Sequence, residues 1–242
     1  MTVQDACCKG KANVLRGSLR TLRADGFGAG LGSRVLGWGG MMAAVGSFVR
    51  PQGPGECCDH NCVERVFNVV TSIPFMVVGL ATMRRRRTRE GKVYGASIVG
   101  VGMASLTFHS ARGRFRSFSR KLDYWTVAVS SALMSRALFP KLSPLVWGLS
   151  LGLTPFQPFA TASANAVAME YEFLRRANKN PSLKPVQQLH AATSAGGMGL
   201  FCRPDVPCTH GLWHCAAALS CATTNGLVAD VEARELGFAP RL

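Results

Sequence analysis

Apolar residues gather in long runs separated by short polar stretches. Val66–Met83, Val93–Ser110, Asp123–Phe139, Val186–Cys202 and Thr209–Ala229 are such runs. Each is about 17–21 residues long, enough to cross a bilayer at a rise of about 1.5 Å per residue. A further stretch, Leu142–Met169, is interrupted by "TPFQP" and reads as two short spans joined by a tight turn. The pattern predicts an all-α polytopic membrane protein with seven transmembrane helices. The runs are rich in Ala, Gly and Ser rather than Leu, so their number carries the reading more than any single run. A soluble protein with buried helices is the alternative.

Composition agrees with this picture. Of 242 residues, 48% are hydrophobic and 17% charged, with a formal net charge of +15. The cations come in bursts between the apolar runs: "RRRRTREGK" at 84–92, "RGRFRSFSRK" at 112–121 and "RRANKNPSLK" at 175–184. No zinc-finger or RNP-like motif is present, and the bursts alternate with apolar runs, so no nucleic-acid partner is expected. The expected partners are the bilayer and its lipids. With the N-terminal side outside, the inside loops carry Arg84–Arg87, Arg89, Lys92, Lys141, Arg175, Arg176, Lys179 and Lys184, and the outside loops only Arg112, Arg114, Arg116, Arg120, Lys121 and Arg203. The asymmetry satisfies the positive-inside rule, although the basic N-terminal arm argues the other way.

Residues 1–55 differ from the rest. They are basic and rich in Gly, Ser and Ala, as expected of a disordered arm or an organelle-targeting segment. Their most apolar part, Val35–Val49, lies too far from the N-terminus for a secretory signal. The organisation expected is therefore an arm over 1–55, a seven-helix membrane domain over 56–230 and a tail over 231–242. The location expected is an endomembrane (ER or Golgi), or an organelle envelope if the arm is a transit peptide. Nine cysteines are too few for a disulfide scaffold in a chain of this length. Cys57, Cys58 and Cys62 precede the first span, and Cys202 and Cys208 flank the last inter-span loop on the same face, so both a bridge and free thiols are open readings.

The chemistry begins at "HGLWH", residues 210–214. The i, i+4 spacing puts His210 and His214 on one helical face, as for two ligands of one zinc ion. The alternative is a pair of interfacial histidines meeting water or a carbonyl. A catalytic zinc site needs a third protein ligand. His109 ends the second span, Asp123 begins the third and His210 begins the seventh, and with alternating spans all three ends share one membrane face. Ser105 lies one turn deeper than His109 on the same helical face. His60 lies outside the spans, and His190 near the start of the sixth. Ionisable groups converging at one depth of a bundle are costly unless paired or bound, which points to a site. Zn²⁺ on His109, His210 and His214 would leave a position for water, whose pKa falls toward neutrality there. Asp123 would orient a ligand imidazole or take the proton of the attacking water, and Ser105 would donate to an oxyanion. The plainer readings are an N-cap for Asp123 and helix packing for Ser105.

The S-x-x-x-H of "SLTFH" (105–109), the Asp at the next span and the late H-x-x-x-H together resemble the alkaline ceramidase family. This family belongs to a superfamily of seven-span hydrolases that also holds the adiponectin and progestin receptors and the GPI-anchor remodelling proteins. "CVERVFNVVTSIPF" (62–75) is similar to the family's first span, and the likeness covers roughly 60–230. It implies zinc on His109, His210 and His214, with Ser105 and Asp123 assisting water in cleaving the N-acyl bond of a ceramide-like lipid. Two departures stand out. The stretch before Asp123 is longer and more basic than expected, and is as similar to the GPI-remodelling branch, which would make the protein a lipid ester hydrolase. The family's calcium motif is matched only by Asp59, Asn61 and Glu64, without its tryptophan, which leaves calcium doubtful. A receptor-like or structural protein, with Cys208 or His190 closing the zinc site as a fourth ligand, is the non-catalytic rival.

Overall fold

The computed structural model describes residue 59 and residues 61–203 and 206–237, within one compact unit that begins at Cys58. The arm expected over 1–55 and His60 lie outside the described residues. Those described are all-α: α1 (Cys62–Thr71), α2 (Ile73–Arg85), α3 (Arg89–Ser110), α4 (Gly113–Leu138), α5 (Pro144–Leu153), α6 (Pro158–Lys179), a 3₁₀ turn (Pro181–Leu183), α7 (Lys184–Phe201) and α8 (Thr209–Arg234). Ser72, between α1 and α2, keeps helical angles, so the two run on as one rod and the described residues form seven rods. Cys62–Arg85 is the one described helix long and apolar enough by itself to cross a membrane.

Local chemistry sets the helix ends. Asn61 caps α1 by accepting the Glu64 N–H at 2.9 Å, and Thr88 caps α3 by accepting that of Gly91 at 3.0 Å. Each satisfies a first-turn donor that has no intrahelical partner. The break at "TPFQP" falls where expected, between Leu153 and Pro158. Its two arms are unequal, however. α5 has 10 residues, about 15 Å at helical rise and half a hydrocarbon core. α6 continues past Met169 to Lys179 because Glu172 and Arg176 on its last turns bind inward.

Two further expectations are corrected. The basic stretch 112–121 is not a loop but the first turns of α4. Gly113, at φ 58°, supplies the left-handed entry that a side chain would resist, and Arg116 anchors the turn on the carbonyls of Phe108 and Ala111. Asp123 accordingly lies well inside α4, whose N-cap is Arg112, and it does not act as a cap. The last helix also runs beyond Ala229 to Arg234, since Asp230 and Glu232 are buried and bonded there.

Polar and apolar positions are sorted in an unusual way. Glu64, Asn68, Ser72, Ser105, His109 and His214 are among the buried groups, while Val63, Val66, Val70, Ile73, Val77 and Leu80 face outward along the α1–α2 rod. An apolar cluster, including Phe75, Ile98, Leu138, Phe173 and Leu227, fills the middle. The α2–α3 seam is made of glycine: a Cβ on Gly79 would lie 2.7 Å from the Gly95 carbonyl oxygen, and one on Gly102 2.7 Å from Met76. Small residues at such a seam let two backbones touch. Away from the histidines the bundle is tied by charge. Arg176 on α6 binds Glu172, Asp230 at 3.0 Å and Glu235, and Arg86 meets Glu232 at 3.5 Å.

Candidate metal centre

Two helix ends build the site. His109 lies in the last turn of α3, and His210 and His214 in the first turns of α8. One nitrogen from each ring lies within 4.8 Å of the other two, and no other His, Cys, Asp or Glu group among the described residues converges so closely. The ring centroids stand 5.1 Å (His109–His210), 5.2 Å (His109–His214) and 4.6 Å (His210–His214) apart. The spacing and topology arguments thus place the three together as expected.

The ends are held from α1. Arg65 donates to the carbonyls of His109 (2.7 Å), Ser110 and Ala111 (2.8 Å), closing α3 on acceptors that have no helical partner. Glu64, buried, accepts the Cys208 N–H at 3.2 Å and so holds the one described non-glycine residue at positive φ, 63°, in the turn that opens α8. Gly211 then lies flat against α1, where a Cβ would meet the Phe67 ring at 2.5 Å and Asn68 Oδ1 at 2.9 Å.

Hydrogen bonds define which ring nitrogens face the centre. His109 Nδ1 lies 3.0 and 3.2 Å from the two Asp59 oxygens, and its buried Nε2 has no hydrogen-bond partner among the described residues. His214 Nδ1 lies 3.2 Å from Thr71 Oγ1. The Thr71 hydroxyl donates to the Phe67 carbonyl at 2.8 Å, so its oxygen accepts from His214 and leaves Nε2 with a lone pair. An orphaned buried imidazole nitrogen beside a second such lone pair fits a metal ion.

Ser105 Oγ is 3.5 Å from His214 Nε2 and 2.9 Å from Ser72 Oγ. Ser72 donates to Asn68 O at 2.8 Å, so the Ser105 proton points to Ser72 and must turn to reach an incoming group. Asp123 and Ser105 line one cavity with His214, walled by Phe75, Met134 and Trp213 and about 200 Å³ in volume. The Asp123 carboxylate makes no side-chain hydrogen bond among the described residues, and none to an imidazole. The carboxylate that meets an imidazole is instead Asp59.

Asp59, Asn61 and Glu64 have separate duties. Asp59 also accepts from Asn68 Nδ2 at 2.6 Å and from Arg116. Burial alone would raise the Asp59 pKa, but the bonds from His109, Arg116 and Asn68 hold it well below the usual carboxylate range. Asn61 caps α1 and Glu64 accepts from Cys208. Cys208 and His190 stand outside the converging group. His190 pairs with Glu170 at 3.0 Å and Thr223 at 2.8 Å. Cys62, Cys202 and Cys208 are free thiols, so of the two cysteine readings the structure has the unbridged one, with Cys57 and Cys58 outside the described residues.

Sequence reasoning missed Asp59 as a partner of His109, along with Thr71, Ser72 and Arg116. The signal for Thr71 and Ser72 was available: they follow Asn68 by three and four residues, on its helical face. Compared with models of known families, with curated proteins and with solved structures, the chain matches none.

Proposed function

We propose that this chain is a seven-helix integral membrane, zinc-dependent amidase that cleaves ceramide-like lipids to a sphingoid base and a fatty acid. The observation that carries the reading is a centre of three imidazoles with no fourth ligand among the described residues, set beside a cavity that Ser105 and Asp123 also line. Three ligands with an open position are the mark of catalytic zinc, and four of structural zinc. Membrane embedding is supported by the outward aliphatic stripe of α1–α2 and by exposed Leu145, Leu149, Leu153, Val167 and Leu174 on α5 and α6. On the other rods Ser105, His109, Glu172, His190 and His214 are buried, as intramembrane polar residues are.

Zinc, when bound, supplies a Lewis acid that acidifies water and polarises the scissile carbonyl. The residues of the chain supply the rest. Asp123, in the same cavity and without a hydrogen-bonded partner, takes the proton of the attacking water and passes one to the leaving amine. Ser105 turns from Ser72 to donate to the carbonyl oxygen as the carbon becomes tetrahedral. Apolar cavity walls receive a hydrocarbon chain, and a site buried in a bundle is reached most readily from the bilayer.

A second reading, a lipid ester hydrolase of the GPI-remodelling type, is favoured by the exposed Arg112, Arg114 and Lys121 at the start of α4, which suit an anionic headgroup. Purified protein assayed for metal content and against a lipid panel separates the readings. Release of sphingoid base and fatty acid from ceramides supports the first. Fatty acid released from glycerolipids alone moves the protein to the second. A zinc-loaded preparation that hydrolyses neither is a receptor-like or structural protein.

A further inference from the structure

Behind His109 stands an arrangement that the hydrolytic reading does not use. Asp59, ahead of α1, presents both carboxylate oxygens to His109 Nδ1, at 3.0 and 3.2 Å. The same carboxylate is fixed by Asn68 Nδ2 of α1 at 2.6 Å and by the Arg116 guanidinium of α4. Arg116 is fixed in turn: its other nitrogen faces the Phe108 and Ala111 carbonyls, and its guanidinium carbon lies 4.8 Å above the centre of the Phe108 ring. The Asp59 and His109 side chains are 4% and 0% exposed, so the chain from guanidinium through carboxylate to imidazole lies in a low-dielectric setting where each bond is strengthened.

Resting on the zinc reading above, we propose that Asp59 is a positioning residue for the metal, clamped by Arg116 and Asn68, that holds His109 with its proton on Nδ1 and its Nε2 lone pair aimed at the ion. A metal-bound imidazole that donates its other N–H to a carboxylate has a fixed tautomer and ring angle and is a stronger base. Arg116 offsets the charge of the carboxylate and fixes its position, a task a divalent cation performs in other acidic sites. The cation here is part of the chain, so zinc uptake does not depend on calcium. The basic turns that open α4 therefore have a duty toward the metal centre, beyond any toward the membrane surface.

The test measures metal, with no hydrolysis assay. Zinc affinity is read by competition with a chelator, and the site's symmetry by the visible spectrum of the cobalt-substituted protein, for wild type, Asp59→Asn, Asp59→Ala and Asp59→Glu. Losing an outer partner of this kind weakens metal binding about 10- to 100-fold. Asp59→Ala is expected to fall in that range with a shifted cobalt spectrum, Asp59→Asn to fall less, and Asp59→Glu to recover part of the loss. Calcium added to wild type is expected to change neither readout. Ring-nitrogen NMR of zinc-loaded wild type needs no variant to fold, and is expected to show the His109 proton on Nδ1 and the metal on Nε2. Unchanged affinity in Asp59→Ala, metal on Nδ1, or calcium-dependent zinc uptake would each overturn the proposal while leaving the zinc reading intact. A wild type that takes up neither zinc nor cobalt overturns the zinc reading itself, and this proposal with it.

Discussion

Gly211 gives a direct test of how α8 carries its histidines. A methyl group at this position would lie 2.5 Å from two Phe67 ring carbons and 2.9 Å from Asn68 Oδ1, against ordinary contacts that begin at 3.4 Å. Gly211→Ala must therefore open the α1–α8 approach by about 0.9 Å, the difference between 3.4 and 2.5 Å, or turn the ring aside. The same displacement stretches the 3.2 Å contact between His214 and Thr71 beyond hydrogen-bonding range. Overpacking of this kind costs about 1–3 kcal/mol. At about 2–4 °C per kcal/mol for a chain of this size, the melting temperature should fall by roughly 2–12 °C. Zinc affinity should fall with it, because His214 moves while His109 stays on Arg65 and Asp59. Thermal unfolding in detergent and chelator competition read the two effects. Phe67→Ala in the same chain removes the ring contact and should restore part of both, as coupled neighbours do in a double-mutant cycle. A Gly211→Ala protein with wild-type melting and wild-type zinc affinity would refute the close approach and the route by which it fixes the site.

The other expected outcomes concern the centre and the topology. His210→Ala and His214→Ala should each abolish stoichiometric zinc, measured by elemental analysis; full zinc retained by His109→Ala would mean that the pair uses another third ligand. Asp123→Asn should keep most of the metal and lose most activity, and Ser105→Ala should lower kcat more than it raises KM, since in the proposed reaction both groups act on the reacting atoms rather than on the ion. Activity should climb to a neutral or alkaline plateau as the attacking water becomes easier to deprotonate, and an acidic optimum would contradict a metal-activated water. Cysteines introduced at Thr88 and Ser117 should label from opposite sides of the membrane, and labelling from one side would show that the rods do not alternate across it.

What the sequence revealed was whatever depends on the order and length of runs. The break at "TPFQP" was visible because two prolines in five residues interrupt a helix. The meeting of His109 with His210 and His214 followed from counting alternating rods, with no knowledge of contacts. Properties set by side chains from different rods were not legible. Asp59 precedes the first helix, where no periodicity places it, and it reached His109 only once α3 and α1 were packed. The stretch 112–121 passed for a loop because its charges mask a helix whose inner face holds Arg116 and Ser119. The extent of α6 was hidden because Arg176 pairs with residues more than fifty positions later. Nothing in the sequence marks Gly211, and only the fold shows Phe67 against it.

The two ends of the bundle are fastened by different means, and this bears on the order of assembly. Arg86 with Glu232, and Arg176 with Asp230 and Glu235, tie the end of α8 to the end of α2 and to α6, and Glu232 also accepts the Arg87 and Thr88 N–H groups. These ties fix the register of α8 at one end, and Glu64 and Gly211 seat its other end on α1. The three imidazoles are thus brought into range by contacts that do not involve an ion. In small zinc domains that are unfolded without metal, the ion drives folding and chelation unfolds the chain. If the three imidazoles hold zinc as proposed, the protein should already be shaped for it beforehand, with the ion arriving last into a finished socket and leaving it without collapse of the bundle.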